Sequence, residues 1–303
     1  MNKYFFICLF IFQSIFYSCK SNKNIGFNED GIYGAFFNDK YQKYFVGNGK
    51  GELFTFDYNL NLLDKKQFAY GPVATCISSP DNEYMINTSG DGTLYIWKVN
   101  QDSLSIYYKE KIHLSASMTC LFSPKMNYAV STGHDSSVVV LDWKNKQILN
   151  RLKSPYGTIR FAWISYDDQY LVWADDNGYL FNTSIKTWKT IEKKVSNFAI
   201  NCMVTNLDNS EIIASDDGGS IEVIDFNTLN IKEKLKAHHG SAFVAELYDK
   251  DRVKIATSGN DGYLTFWTKE NNLYKLQKKI KAHNSPCCTL YYNDNWTRLL
   301  SGG

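Results

Sequence analysis

Three acidic pairs, Asp167-Asp168, Asp175-Asp176 and Asp216-Asp217, and three histidines, His238, His239 and His283, are the side chains whose types could hold a cation. Carboxylates could take calcium and imidazoles zinc, and each chemistry imposes a spacing. A calcium loop needs oxygen ligands at alternating positions closed by a bidentate Glu, and a zinc site needs partners a fixed few residues apart. Neither pattern occurs, so no metal is expected. The acidic pairs lie in turn-like segments, where a short carboxylate bonds nearby backbone N–H groups. Nucleophilic chemistry fares no better, since there is no nucleophile elbow and no phosphate-cradling glycine loop ahead of a helix. The chain reads as a non-enzyme without a cofactor.

Charge narrows the partners. Against 33 Lys and Arg stand 31 Asp and Glu, a net +2 too small to neutralise a phosphate backbone, so nucleic acid is excluded. Lysines gather in the stretches expected to be outermost strands, among them Lys109, Lys111, Lys193, Lys194, Lys232, Lys234, Lys236, Lys278, Lys279 and Lys281. There lysine discourages pairing with another chain, and attraction to an anionic membrane is the second reading. Cys76, Cys120, Cys202, Cys287 and Cys288 fall on one strand type of successive repeats, which makes them buried small hydrophobes rather than bridges.

The elements that carry these residues repeat. Six turns share a signature, GNGKGELFTF, TSGDGTLYIW, TGHDSSVVVL, ADDNGYLFNT, SDDGGSIEVI and SGNDGYLTFW. They bring Lys50, Asp91, Asp135, Asn177, Gly218 and Asp261 into register at intervals of 41, 44, 42, 41 and 43 residues. An alternating strand follows each turn, then a loop and a lysine-rich strand; a strand, polar turn and strand precede it. Four strands in about 42 residues make one blade of a propeller. An aromatic content of 16% with only 5 prolines suits strands throughout.

In this pattern the chain resembles WD-repeat proteins of the G-beta-like type, from about Ile32 onward. The resemblance implies an all-β, seven-bladed β-propeller of four-stranded antiparallel blades. It also implies a hydrogen-bonded set of His, Ser or Thr, Asp and Trp, matched in full by His238, Thr257, Asp261 and Trp267. Asp would accept from the imidazole, and the imidazole would bond the hydroxyl and so satisfy the indole. The third blade keeps His113, Ser131 and Asp135 but has Leu141 for Trp, and the second keeps Asp91 and Trp97. The seventh blade is incomplete, ending at Gly303 before its turn, and is expected to be a truncated copy. Function in such a fold sits on loops, and those leading into blades two to seven place Tyr70, Leu114, Tyr156, Phe198, His239 and Asn284 as a partner-binding rim. A protein or peptide is the expected partner. The alternative is a propeller enzyme or metal-binding propeller with its site in the central channel, but the innermost strands offer Thr75, Cys76, Thr119, Cys120, Asn201 and Cys202, with no converging carboxylates or histidines.

The first nineteen residues stand apart. Lys3, an apolar run from Tyr4 to Tyr17 and Ser18-Cys19 read as an export signal, too short to span a bilayer. This end resembles a bacterial lipoprotein signal, with Cys19 as the lipidated residue, although Phe16 and Tyr17 depart from the usual motif. The organisation is then 1–19 signal, 20–31 tether and 32–303 propeller, an exported lipoprotein of the cell envelope with the lipid as its only membrane contact. Secretion or an intracellular home is the alternative, the latter favoured by five thiols without evident pairing.

Overall fold

Each turn of the repeat places one residue in the left-handed region. Gly262 (φ +68°) takes this place in the sixth repeat, and its carbonyl accepts the N–H groups of Ala282 and His283 at 3.1 and 3.0 Å. A Cβ on it would lie 2.3 Å from His283 O, so the close approach as well as the dihedral demands glycine. Ser136, at φ +58°, occupies the same place in the third repeat.

The computed structural model describes residues 32–249, 251–292 and 299–302, and every regular element among them is a strand. The first sheet holds β1 (Ile32–Asn38), β2 (Lys43–Asn48), β3 (Glu52–Asp57) and β4 (Leu62–Gln67). The second holds β5 (Val73–Ser78), β6 (Tyr84–Ser89), β7 (Thr93–Val99) and β8 (Leu104–Lys111), and the third β9 (Ser117–Phe122), β10 (Ala129–Gly133), β11 (Ser137–Asp142) and β12 (Gln147–Lys153). The fourth holds β13 (Ile159–Ile164), β14 (Tyr170–Asp175), β15 (Tyr179–Ser184) and β16 (Thr190–Lys194), and the fifth β17 (Ile200–Thr205), β18 (Glu211–Asp216), β19 (Ser220–Asp225) and β20 (Ile231–Lys236). The sixth holds β21 (Ala242–Tyr248), β22 (Lys254–Gly259), β23 (Tyr263–Glu270) and β24 (Leu273–Lys281), and β25 (Thr289–Tyr292) pairs with β26 (Leu299–Gly302). Within each sheet the strands lie in chain order and antiparallel. This is an all-β propeller fold, with six four-stranded sheets and one two-stranded sheet among the described residues. Two compact units divide it, one of Met1–Phe122 with Met126–Leu152 and one of Ser123–Lys125 with Lys153–Gly303.

Within the first unit β5 lies against β1 and β9, and within the second β17 lies against β13 and β21. First strands therefore gather and fourth strands lie outermost. β17 and β18 are buried along their whole length, whereas β16 is exposed along all of its. The third strands of the first five sheets, expected to alternate, are buried nearly end to end: on β7 only Lys98 is exposed. Sheets covered on both faces need apolar side chains on both. The lysines named above on β8, β16, β20 and β24 all lie on the outermost, edge strands.

A register shift separates the first two strands of every complete sheet, between Ile32 and Gly34, Val73 and Thr75, Ser131 and Gly133, Ile159 and Phe161, Ile200 and Cys202, and Ala242 and Val244. Such a bulge re-aims side chains on the inner strand. Cys76, Cys120 and Cys202 are buried on β5, β9 and β17, while Cys287 and Cys288 precede β25 rather than lying on it. The signal, the tether, Cys19 and the end at Gly303 lie outside the described residues.

Candidate partner-binding loops

The loops that join one sheet to the next are clamped at both ends. Residues 237–241 join β20 to β21, and Gly219 O in the fifth sheet accepts Ala237 N–H and His238 N–H at 3.1 and 3.0 Å. In the sixth sheet, His238 Nδ1 meets Asp261 Oδ1 at 2.8 Å and Nε2 meets Thr257 Oγ1 at 2.7 Å. Asp261 also accepts Tyr263 N–H and His239 N–H, each at 3.2 Å. Burial tends to raise the Asp261 carboxyl, but these donors overcome it and hold the group at about 2. Burial lowers His238 against the pull of Asp261, so a neutral ring donates from Nδ1 and accepts at Nε2. In the first unit His113 repeats the arrangement, 3.0 Å from Asp135 Oδ1 and from Ser131 Oγ, and Leu114 N–H reaches Asp135 Oδ2 at 2.9 Å.

Two loops of the second unit use other residues for the same joint. Ser154 and Ser196 stand where the loops before β9, β21 and β25 have His113, His238 and His283, and they donate to Asp175 Oδ2 and Asp216 Oδ2, each at 2.6 Å. These two acids occupy the position held by Gly133 and Gly259 in the histidine sheets. A Cβ there would lie 2.5 Å from His113 Nδ1 or 2.4 Å from His238 Cγ. A large ring therefore goes with glycine, and a small alcohol goes with a carboxylate that fills the space.

Of the four residues the resemblance grouped, His238, Thr257 and Asp261 are in direct contact and Trp267 is not. Its indole N–H donates to Thr265 Oγ1 at 3.0 Å, and Thr265 bonds Thr257. The Thr265 hydroxyl, two residues before Trp267 on the same strand, thus stands between the indole and Thr257. One directional chain results, from indole to Thr265, Thr257, the imidazole and Asp261. In the second sheet Trp97 donates directly to Asn87 Oδ1 at 2.5 Å. In the fourth the partners exchange strands, with Trp173 on β14 donating to Thr183 Oγ1 on β15 at 3.0 Å.

The clamped loops present the rim residues to solvent. In the first unit Tyr70 is 87% and Leu114 83% exposed. In the second Phe198 is 51% and Tyr156 40% exposed, and His239 and Asn284 are also exposed. Tyr156 is committed to its own sheet, stacked on Tyr179 with its hydroxyl on Glu192 Oε1 at 2.6 Å. Phe198 lies over Gly218, where a Cβ would come within 2.5 Å of the ring. Both are fixed through the backbone, Tyr156 N–H to Ser154 Oγ at 3.0 Å and Phe198 N–H to Ser196 Oγ at 3.1 Å.

Residues 66–98 match the family described as WD domain, G-beta repeat. The matched stretch runs from the end of β4 through the turn at Asp91 and past Trp97 to Lys98. With the repeated four-stranded antiparallel sheets it supports a WD-repeat propeller, a fold that is generally a protein-interaction scaffold and typically non-catalytic. No curated protein matches the chain.

The acidic pairs of these WD-like turns are engaged internally. Asp175 accepts Asn177 N–H and Tyr179 N–H, Asp176 accepts Thr158 N–H, and Asp168 accepts Ser123 Oγ–H and Lys125 N–H. Among the described residues, no group of three or more His, Cys, Asp and Glu is placed to hold a metal ion. One polar set was missed in the sequence. Arg160, at the bulge of β13, donates to Asn201 Oδ1 at 2.9 Å and to Asp217 Oδ2 at 3.1 Å, and Asn201, at the bulge of β17, donates to Asp217 Oδ1 at 2.7 Å. Its one signal was a charged residue inside an otherwise apolar first strand.

Proposed function

We propose that this chain is a non-catalytic scaffold for a protein or peptide, with candidate contacts at Tyr70 and Leu114 on one unit and, separately, at Phe198, His239 and Asn284 on the other, where Tyr156 is braced against its own sheet. The observation behind this reading is the pairing of exposed side chains with immobile backbone. Leu114, His239 and Phe198 each donate their own N–H to a buried acceptor network, so little loop entropy is lost on contact. Variants with Tyr70 and Leu114 changed to Ser, or Phe198→Ser, leave every clamp intact. Proteins co-purified with each, quantified by mass spectrometry against wild type, should include at least one depleted about tenfold, the loss of a single anchor. An unchanged set with both variants overturns the reading.

Location belongs to the same proposal. Lipid on Cys19 would hold the propeller by residues 20–31, a tether of about 20 Å if it behaves as a random coil. Cys19→Ala should move the protein out of the membrane fraction, and unchanged fractionation with an unlipidated N-terminus by intact mass removes the anchor.

A further inference from the structure

In the fifth sheet charge takes the place of the alcohol relay. Glu222 on β19 stands where Thr265 stands on β23, four residues past the aligned turn position in each. It is fully buried, with Oε1 2.7 Å from Lys234 Nζ on β20. Its other oxygen, Oε2, is buried and meets no donor among the described residues. Asp216 on β18 faces the same ammonium at 3.7 Å. Two buried carboxylates thus share one lysine, whose side chain is 50% exposed. Asp216 is also the acceptor for Ser196 Oγ–H at 2.6 Å and Ser220 N–H at 2.8 Å, and Ser196 Oγ holds Phe198 N–H.

The other charges on neighbouring elements have partners of their own. Glu211 of β18 pairs with Lys269 and Lys232, and Asp225 of β19 with Lys232. On β20, Glu233 accepts Tyr274 N–H and Lys236 donates to Gly218 O. Glu246 of β21 has an interaction of its own, Asp217 pairs with Arg160, and Lys193 of β16 bonds Asn230. β17 carries no charged residue.

We propose that Asp216, Glu222 and Lys234 form a proton-controlled catch on the Phe198 loop, holding it when Glu222 is protonated and loosening it when Glu222 ionises. The proposal gives the partner-binding reading of that loop its regulation, and so rests on it. With Glu222 protonated, the cluster is one carboxylate against one ammonium, and the new O–H turns Oε2 from an acceptor without a donor into a donor toward the Asp216 carboxylate beside it. Once the proton passes to water, two adjacent carboxylates face a single ammonium in a poorly solvated site. Relief comes from Asp216 turning toward solvent, which withdraws the acceptor of Ser196 and with it the anchor of Phe198 N–H. Burial raises the Glu222 carboxyl, Lys234 opposes that rise and the charge of Asp216 adds to it, leaving the group at about 7. The fourth sheet supplies an internal control: it has the same serine–aspartate joint at Ser154 and Asp175, with Phe181 in place of Glu222.

Amide hydrogen exchange on the full chain, corrected for the intrinsic pH dependence, tests the catch without any partner. Protection of Phe198 N–H should fall about tenfold between pH 6 and pH 8, the effect of one pK unit of coupling, while Tyr156 N–H stays constant. Glu222→Gln should keep the pH 6 protection at both values. Lys234→Met, on an exposed edge strand, should move the midpoint upward. Constant Phe198 protection in the wild type, the same fall in Glu222→Gln, or an unmoved midpoint in Lys234→Met each overturns the catch. Partner loss with Phe198→Ser is read separately, so a failed catch and a failed binding loop give different results.

Discussion

Asp261→Ala should be the most damaging single change among the acidic turn residues. The carboxylate is 10% exposed and accepts from His238 at 2.8 Å, from Tyr263 and His239 at 3.2 Å and from Lys279 at 3.3 Å. Removing it leaves the His238 Nδ1–H buried without its acceptor, at a cost of about 1–3 kcal/mol. The depressed carboxyl expresses the same contacts from the side of the charge. A fall from 3.8 to about 2 corresponds to about 2.4 kcal/mol. The two figures describe one interaction and are not added, so the expected loss is about 2–3 kcal/mol, or roughly 1 M in the urea midpoint. Asp176→Ala, in the same unit, forfeits the bond from Thr158 N–H at a half-buried site and should shift the midpoint by less than about 0.4 M. Because the Asp261 carboxyl is held below its unfolded value, its contribution is complete above about pH 4 and disappears as pH falls through 2. The gap between wild type and Asp261→Ala should therefore narrow from pH 5 to pH 3. Equal midpoint shifts for the two variants, or a gap that does not change with pH, would refute this account of the joint.

Gly259→Ala should evict the imidazole, since its Cβ would lie 2.4 Å from His238 Cγ, and lower the urea midpoint by an amount similar to Asp261→Ala. Thr265→Val leaves the Trp267 indole N–H without its acceptor and should cost about 1–3 kcal/mol with a shifted tryptophan emission; no change in either would return Trp267 to direct contact with Thr257. Maleimide labelling of the native protein at pH 8, mapped by peptide mass, should reach Cys288 slowly, because burial pushes its thiol up to about 11. It should reach the buried Cys76, Cys120, Cys202 and Cys287 only after unfolding.

The repeat was legible in its turns because each of the six four-stranded sheets demands a left-handed residue and, one to three residues before it, a side chain that bonds backbone. His238, Thr257 and Asp261 were legible for a related reason: each is the full-sized member of a joint that admits few alternatives. What escaped was compensation. Ser196 is an ordinary loop serine and Asp216 an ordinary turn acid until the two are placed 2.6 Å apart in the space that His238 fills beside Gly259. The exchange of Trp173 and Thr183 across strands hides in the same way, since the indole–hydroxyl bond survives while both positions lose their expected type. Arg160 escaped because its partners depend on a bulge, a one-residue shift with no composition of its own.

These exchanges separate what folding constrains from what it leaves open. At Leu114, His239 and Phe198 the joint supplies an acceptor for the N–H of an exposed loop residue, and either an imidazole-bound aspartate or an aspartate-bound serine meets that demand. Neither solution involves the exposed side chain itself. Leu114, His239 and Phe198 therefore share a fixed backbone while differing in size and polarity, as positions chosen by contact with another molecule would. The serine form differs from the histidine form in one respect that bears on function. His238 is held neutral by burial, whereas the acid that anchors Ser196 lies beside a second carboxylate that titrates near 7. One joint of the repeat is thereby made sensitive to protons near neutrality where the other responds only in acid, and the former carries Phe198.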